Sequence, residues 1–218
     1  MLYANLRLEG FGGVLKNKII QLTSSGPEEG KSITTINLAI AMAQEGVKTL
    51  LIDTDLRRAV IHKVFGFKKE PGFTDILLGS KDLKEGIRGI TDIIVSSGLD
   101  SERLLKIPGI DNLFILPCGM SVVNITQLLD SKEIISLFEN VRQNYDVVLL
   151  DSPPVLAVTD PILIASKVDG VVLVYKVGKT ARNAILRAKV QLEVVKAQIK
   201  GLVLNNISPE VQLYSTYY

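Results

Sequence analysis

At 218 residues the chain fits a single domain, long enough to bury roughly 70% of the surface its unfolded form exposes. Hydrophobic residues make up 47% and charged residues 22%, and no run approaches the roughly 20 apolar residues that cross a bilayer, so the sequence contains no candidate spanning helix. The formal charge of +2 is too small to argue for nucleic acid as a partner, and the single cysteine, Cys118, excludes an internal disulfide or a cysteine cluster for zinc or iron–sulfur chemistry.

The segment after Met1 is mixed and polar, without the apolar stretch of a cleaved leader, and a reducing, cytoplasmic setting is expected. In chain order, short β-branched runs then alternate with helix-period segments. The runs are IIQL near 19–22, TLLID near 49–53, LFIL near 113–116, DVVLLD at 146–151, GVVLVY near 170–175 and GLVLN at 201–205. Several are apolar throughout, as strands buried on both faces are. Helical patterns fall at about 33–45, 131–143, 159–167 and 180–198. The alternation predicts an α/β fold: right-handed βαβ units in a doubly wound, mostly parallel sheet with helices on both faces, and a ligand at the carboxyl ends of the strands. Residues 80–112 have weak periodicity and read as an insertion.

After the first run comes TSSGPEEGKSITTINLAIAMA, the strand, loop and helix order of a P-loop. Its loop comprises Ser25, Gly26, Pro27, Glu28, Glu29, Gly30, Lys31, Ser32 and Ile33, the expected ATP-binding set. Gly30 lets the backbone approach the phosphates, Lys31 reaches their β and γ oxygens, and the Ser32 hydroxyl ligates Mg²⁺. Ser25 stands where the common pattern has its first glycine. Glu28 and Glu29 are expected to point outward, because facing a triphosphate would be repulsive. A second strand ends in Asp53, with Asp55 two residues on, in LLIDTDLRR, and a later one ends in Asp151, in VVLLDSPP. An apolar strand that ends in aspartate beside a phosphate loop is how Mg²⁺ is held, directly or through water, which makes Ser32, Asp53 and Asp151 the candidate metal residues.

The P-loop, DxDxR and DSPP motifs together resemble those of the bacterial tyrosine kinases of capsule and exopolysaccharide synthesis. TSSGPEEGKS, LLIDTDLRR, GFTDILLG, LFILPCG, YDVVLLDSPPVLAVTD, VDGVVLVYKVGKT and GLVLN occur in that family's order. The resemblance implies an ATP- and Mg²⁺-dependent protein-tyrosine autokinase over residues 1–205. It implies Lys31, Asp53 and Asp55 as catalytic residues, with Asp53 the favoured member of the pair to orient the phenol, and Asp151 as the Walker B acid, with Asn205 at the adenine. It also implies action at the inner face of the membrane, through a membrane adaptor or polysaccharide co-polymerase or a fused membrane half, and self-association in trans. LYANL at 2–6 resembles the end of the family's oligomer-forming helix, with Tyr3 at the place of its second arginine, so weak assembly is expected. The rival class, partition-type ATPases acting as nucleotide-controlled switches, carries a signature lysine where this chain has Gly26.

Three of the six tyrosines, Tyr214, Tyr217 and Tyr218, fall in the last five residues. In the kinase family such a cluster is the autophosphorylation substrate, and the tail 206–218 spans about 43 Å when extended, enough to reach a neighbour's site. His62, the only histidine, reads as a surface or half-buried polar residue, and Cys118 as a small packed one. Arg182, Arg187, Lys189 and Lys196 read as a solvated helix face, with an anionic lipid surface as the lesser alternative.

Overall fold

The computed structural model describes residues 2–12, 15–97 and 107–207. Its strands are β1 (Lys18–Ser24), β2 (Thr49–Asp53), β3 (Leu113–Leu116), β4 (Val147–Asp151), β5 (Gly170–Lys176) and β6 (Ile199–Asn205). They form one sheet in the order β3-β2-β4-β1-β5-β6, and every pairing is parallel. The helices are α1 (Leu2–Asn5), α2 (Lys31–Gln44), α3 (Ile61–Phe65), α4 (Phe73–Leu77), α5 (Leu83–Gly86), α6 (Ile90–Ser97), α7 (Ile125–Leu129), α8 (Lys132–Asn144), α9 (Asp160–Ala165) and α10 (Arg182–Val194). The expected doubly wound architecture is therefore present, and among the described residues no helix is long and apolar enough to cross a membrane.

Alternation along the strands divides the core into layers, because successive side chains point to opposite faces. Ile20, Leu51 and Leu149 pack under α2 and α6 with Ile36, Met42 and Ile93. Their neighbours Ile19, Leu50 and Val148 pack under α4, α7 and α8 with Phe73, Leu128, Leu137 and Phe138. A third cluster seats Ala188 and Leu192 of α10 on Val171 and Leu173. Both sheet faces are covered, which is why β2 and β4 read as apolar throughout and are buried at every position.

The expected helix over 180–198 is shorter, ending at Val194, because Lys196 adopts a φ of 57° in the turn that leads into β6. The irregular stretch near 80–112 has a local use. Arg88 exchanges backbone hydrogen bonds with Ile115, 2.7 and 2.9 Å long, and so occupies the outer edge of β3, which would otherwise offer unpaired groups to another strand.

Register delivers the site. Asp53 of β2 lies directly opposite Asp151 of β4, and Asp151 is also opposite Leu22 of β1, two residues before that strand gives way to the phosphate loop. Parallel pairing carries all three carboxyl ends to one edge, where the first turn of α2 begins with Lys31.

Candidate functional site

The phosphate loop is braced from within. Ser24 Oγ donates to the Gly26 carbonyl at 2.7 Å, while Ser25 Oγ and the Gly26 N–H both donate to Glu29 Oε1, at 2.7 and 2.6 Å. Glu29 is thus only 2% exposed, which corrects the expectation that both loop glutamates point outward. Donors from the loop itself compensate its carboxylate, so burial does not require it to face the phosphates. Glu28 does face outward: it is exposed, pairs with Lys179 at 2.6 Å, and is held below the usual carboxylate range by that contact. Its φ of 60° lies in the left-handed region that favours glycine.

Gly30 has a φ of 92°, and a Cβ there would collide with Nδ2 of Asn205. That amide donates to the Glu29 carbonyl at 3.0 Å, so the end of β6 supports the loop from behind. Asn205 is thereby placed beside the nucleotide loop.

Lys31 lies among the three acids picked out by the sequence. Its Nζ is 2.9 Å from Asp55 Oδ2, 3.6 Å from Asp151 Oδ1 and 3.1 Å from Ser32 Oγ. Burial pulls the ammonium down, but the charges of Asp151 and Asp55 outweigh it and hold Lys31 above its ordinary pKa. Asp53 and Asp151 are both fully buried. Burial, reinforced by the Asp151 charge, pushes Asp53 up to about 7; burial, opposed by Lys31, pushes Asp151 up to about 6. The oxygens of Asp53 accept the N–H groups of Asp55 and Ile61, each at 3.2 Å. Asp55 is therefore the member of the pair that meets Lys31, and its second oxygen accepts the Arg58 N–H at 3.0 Å.

The oxygens of Asp151 have no hydrogen-bond partner among the described residues. An unsatisfied buried carboxylate beside a hydroxyl and a phosphate loop fits a hydrated divalent cation shared with phosphates, since Mg²⁺ keeps several waters and takes few protein ligands.

Two supports were not legible as such in the sequence. Arg57 forks onto Asp160 at the start of α9, with Nε to Oδ2 at 2.7 Å and Nη2 to Oδ1 at 3.2 Å, and Asp160 is 1% exposed. This clips the loop after β2 to the segment after β4. Beneath it, Thr54 binds the Asp151 carbonyl through both N–H and Oγ1, and Gln21 Nε2 donates to Ser152 Oγ and the Pro161 carbonyl. The only sequence signal was that Arg57 and Asp160 each stand within a recognised motif. Cys118 is buried, with burial pushing its thiol up to about 12, so it is unreactive. His62 is half-buried, its pKa lowered by burial and by Lys63 and Lys69. Tyr214, Tyr217 and Tyr218 lie outside the described residues.

Comparison with known proteins places this geometry. The AAA domain family matches residues 17–203. The tyrosine-protein kinase CpsD of Streptococcus pneumoniae serotype 4 is 35% identical over 214 residues, covering 98% of this chain and 85% of that one. The tyrosine-protein kinase YwqD of Bacillus subtilis is 33% identical over 188 residues, 86% of this chain and 72% of that one. The kinase domain of Escherichia coli tyrosine kinase ETK superposes with a TM-score of 0.76 at 28% identity, covering 88% of this chain and 68% of that one.

Proposed function

The chain belongs to the AAA domain family and, within it, to the bacterial tyrosine-protein kinases, and from that premise we propose that it is an autokinase whose acceptors are Tyr214, Tyr217 and Tyr218 of a second copy. The observation that carries the reading is Lys31 set between Asp55 and Asp151 at the mouth of a phosphate loop, on the edge from which β6 releases the tail. In the reaction the phenol oxygen attacks the γ-phosphorus of ATP, the bond from that phosphorus to the β–γ bridging oxygen breaks, ADP leaves, and the phenolic proton passes to solvent.

Tyrosine ionises near 10 and aspartate near 4, so no carboxylate here is a strong ground-state base for the phenol. Transfer through a loose transition state depends on alignment and charge neutralisation instead. Lys31 neutralises the phosphates once it exchanges its Asp55 contact for them, the loop N–H groups of 25–33 cradle them, and Asp55, in place of the expected Asp53 whose oxygens are taken by backbone N–H groups, orients the phenol. Asp53 fixes the loop that carries Asp55. Asn205 borders the base. Ser32 and Asp151, with Asp53 behind them, would hold Mg²⁺, which would supply further charge neutralisation.

The polysaccharide role enters through the same reading: phosphorylation of the tail controls capsular or exopolysaccharide synthesis at the inner face of the membrane, through a membrane adaptor or a fused membrane half. The test is to incubate the chain with ATP and Mg²⁺ and map phosphotyrosine by mass spectrometry. Label on the three tail tyrosines, lost when all three are changed to Phe while ATP affinity is kept, is the expected result. ATP turnover with no phosphotyrosine would move the assignment to a nucleotide-controlled switch.

A further inference from the structure

Beside Asp55, on the same edge of the sheet, opens a cleft of about 370 Å³ that no step above uses. One wall is the segment after β2, with Arg58, His62 and Lys63; the other is the loop after β3, Cys118 to Ser121, with Lys69 between them. Its lining contains no aspartate or glutamate. Lys69 is engaged, by Ser121 at 3.0 Å and Glu70 at 3.5 Å, whereas Arg58 and Lys63 are exposed and have no ion-pair partner among the described residues. His62 Nδ1, on the same wall, is buried without a partner among the described residues. The walls are tied together by the Gly119 N–H, which donates to the Lys69 carbonyl at 2.9 Å, so the concavity is built into the backbone. Arg57 is spent on Asp160 and Lys69 on Glu70, but Arg58 and Lys63 line a preformed cleft next to the group assigned to the phenol with no ion pair of their own among the described residues, which suits an anion on the acceptor side of the reaction.

We propose that this cleft binds the phosphate monoester of an already phosphorylated tyrosine in the acceptor tail of a second copy, so that the first transfer strengthens docking for the next. The inference rests on the autokinase reading. A phosphotyrosine carries a charge of about −1.5 to −2 with three strong acceptor oxygens, matched to Arg58 and Lys63 with the His62 ring nearby. Tyr214 and Tyr217 are three positions apart, about 10 Å in extended chain, so one tyrosine reaches Asp55 while the other lies in the adjoining cleft. The unphosphorylated tail offers Glu210 as its one acidic side chain, which makes phosphorylation the main source of anionic charge.

The test uses the full chain with Tyr214, Tyr217 and Tyr218 changed to Phe, ADP and Mg²⁺ present, and synthetic peptides of residues 208–218 with or without phosphate on Tyr217. Fluorescence anisotropy is expected to show the phosphopeptide binding about tenfold more tightly, from two solvent-exposed charge contacts. The gain should vanish in Arg58→Ala/Lys63→Ala, survive in Lys63→Arg, and shrink as salt rises. Because His62 is the only histidine, its imidazole NMR signal reports the cleft directly and should shift with the phosphopeptide. Equal affinities for the two peptides, or a gain kept in the double variant, would overturn the proposal. So would an equal His62 shift from inorganic phosphate at the same concentration. Labelling of the parent chain by ATP is measured separately: a chain that labels its tail but shows no phosphopeptide preference loses the cleft and keeps the autokinase reading.

Discussion

Asp151→Asn should make the nucleotide-free protein more stable at pH 8 while disabling it. Asp151 is fully buried, and among the described residues its oxygens have Lys31 and Ser32 nearby but no well-formed hydrogen bond. Its pKa rises from an ordinary 3.8 to about 6, even with Lys31 at 3.6 Å counted in its favour. That is a shift of about 2 units, or about 3 kcal/mol of preference for the neutral form. The sign follows from the raised folded-state value. Stability associated with the protonated carboxyl is fully present below about pH 4 and is lost as pH rises through about 6. Asparagine keeps the shape of the neutral acid at every pH. The variant should therefore match the parent near pH 4 and exceed it by about 3 kcal/mol at pH 8, roughly 6–12 °C in Tm for a chain of this size. Thermal melts in EDTA between pH 4 and 8 measure the difference. A variant less stable than the parent at pH 8, or one whose gain is the same at both ends of the range, would refute the reasoning. Asp53 should also respond, because the Asp151 charge is one cause of its raised pKa.

Lys31→Met removes the one ammonium among three carboxylates, so ATP turnover should fall on the order of 10²–10³-fold while circular dichroism keeps its native shape; unchanged turnover in a folded variant would sink the phosphate-loop assignment. Arg57→Ala leaves Asp160 buried without its forked partner, and urea melts should show a loss of about 2 kcal/mol, with an unchanged midpoint counting against the clip. ATP binding followed by calorimetry should weaken at least about tenfold when EDTA replaces Mg²⁺, since three acids close to one lysine leave excess negative charge facing the phosphates. Equal affinity with and without the metal would show that Lys31 alone balances the site.

The fold, and the grouping of the acids and Lys31 at the candidate site, were legible because parallel strands buried on both faces leave an unusually plain record. VVLLD and TLLID are apolar until the chain reaches the ligand edge, and the aspartate marks the exit. Once both strands are parallel and adjacent, the facing of Asp53 and Asp151 follows from register. The short helices α3 to α6 were less readable, since 4 to 8 residues give too few turns for a periodicity to show. The Arg57–Asp160 clip joins positions 103 apart, a distance over which local patterning carries no information.

Glu29 shows why the charge of a side chain alone does not reveal its direction. Repulsion from a triphosphate argued for an outward carboxylate, but that argument weighed Glu29 against the ligand and not against the donors of its own loop. A P-loop curls successive N–H groups inward, and Gly26 N–H and Ser25 Oγ lie within hydrogen-bond reach of Oε1. A charge-assisted bond to such donors is about twice as strong as a neutral one, enough to draw the carboxylate in although its second oxygen has no partner among the described residues. Glu28, one residue earlier, has an exposed lysine to pair with and turns outward, in a backbone conformation suited to glycine. The two glutamates are chemically identical and adjacent, and what separates them is the set of donors each can reach. The same residue is held from outside the loop as well, by Asn205, which donates to the Glu29 carbonyl from a strand 176 positions away.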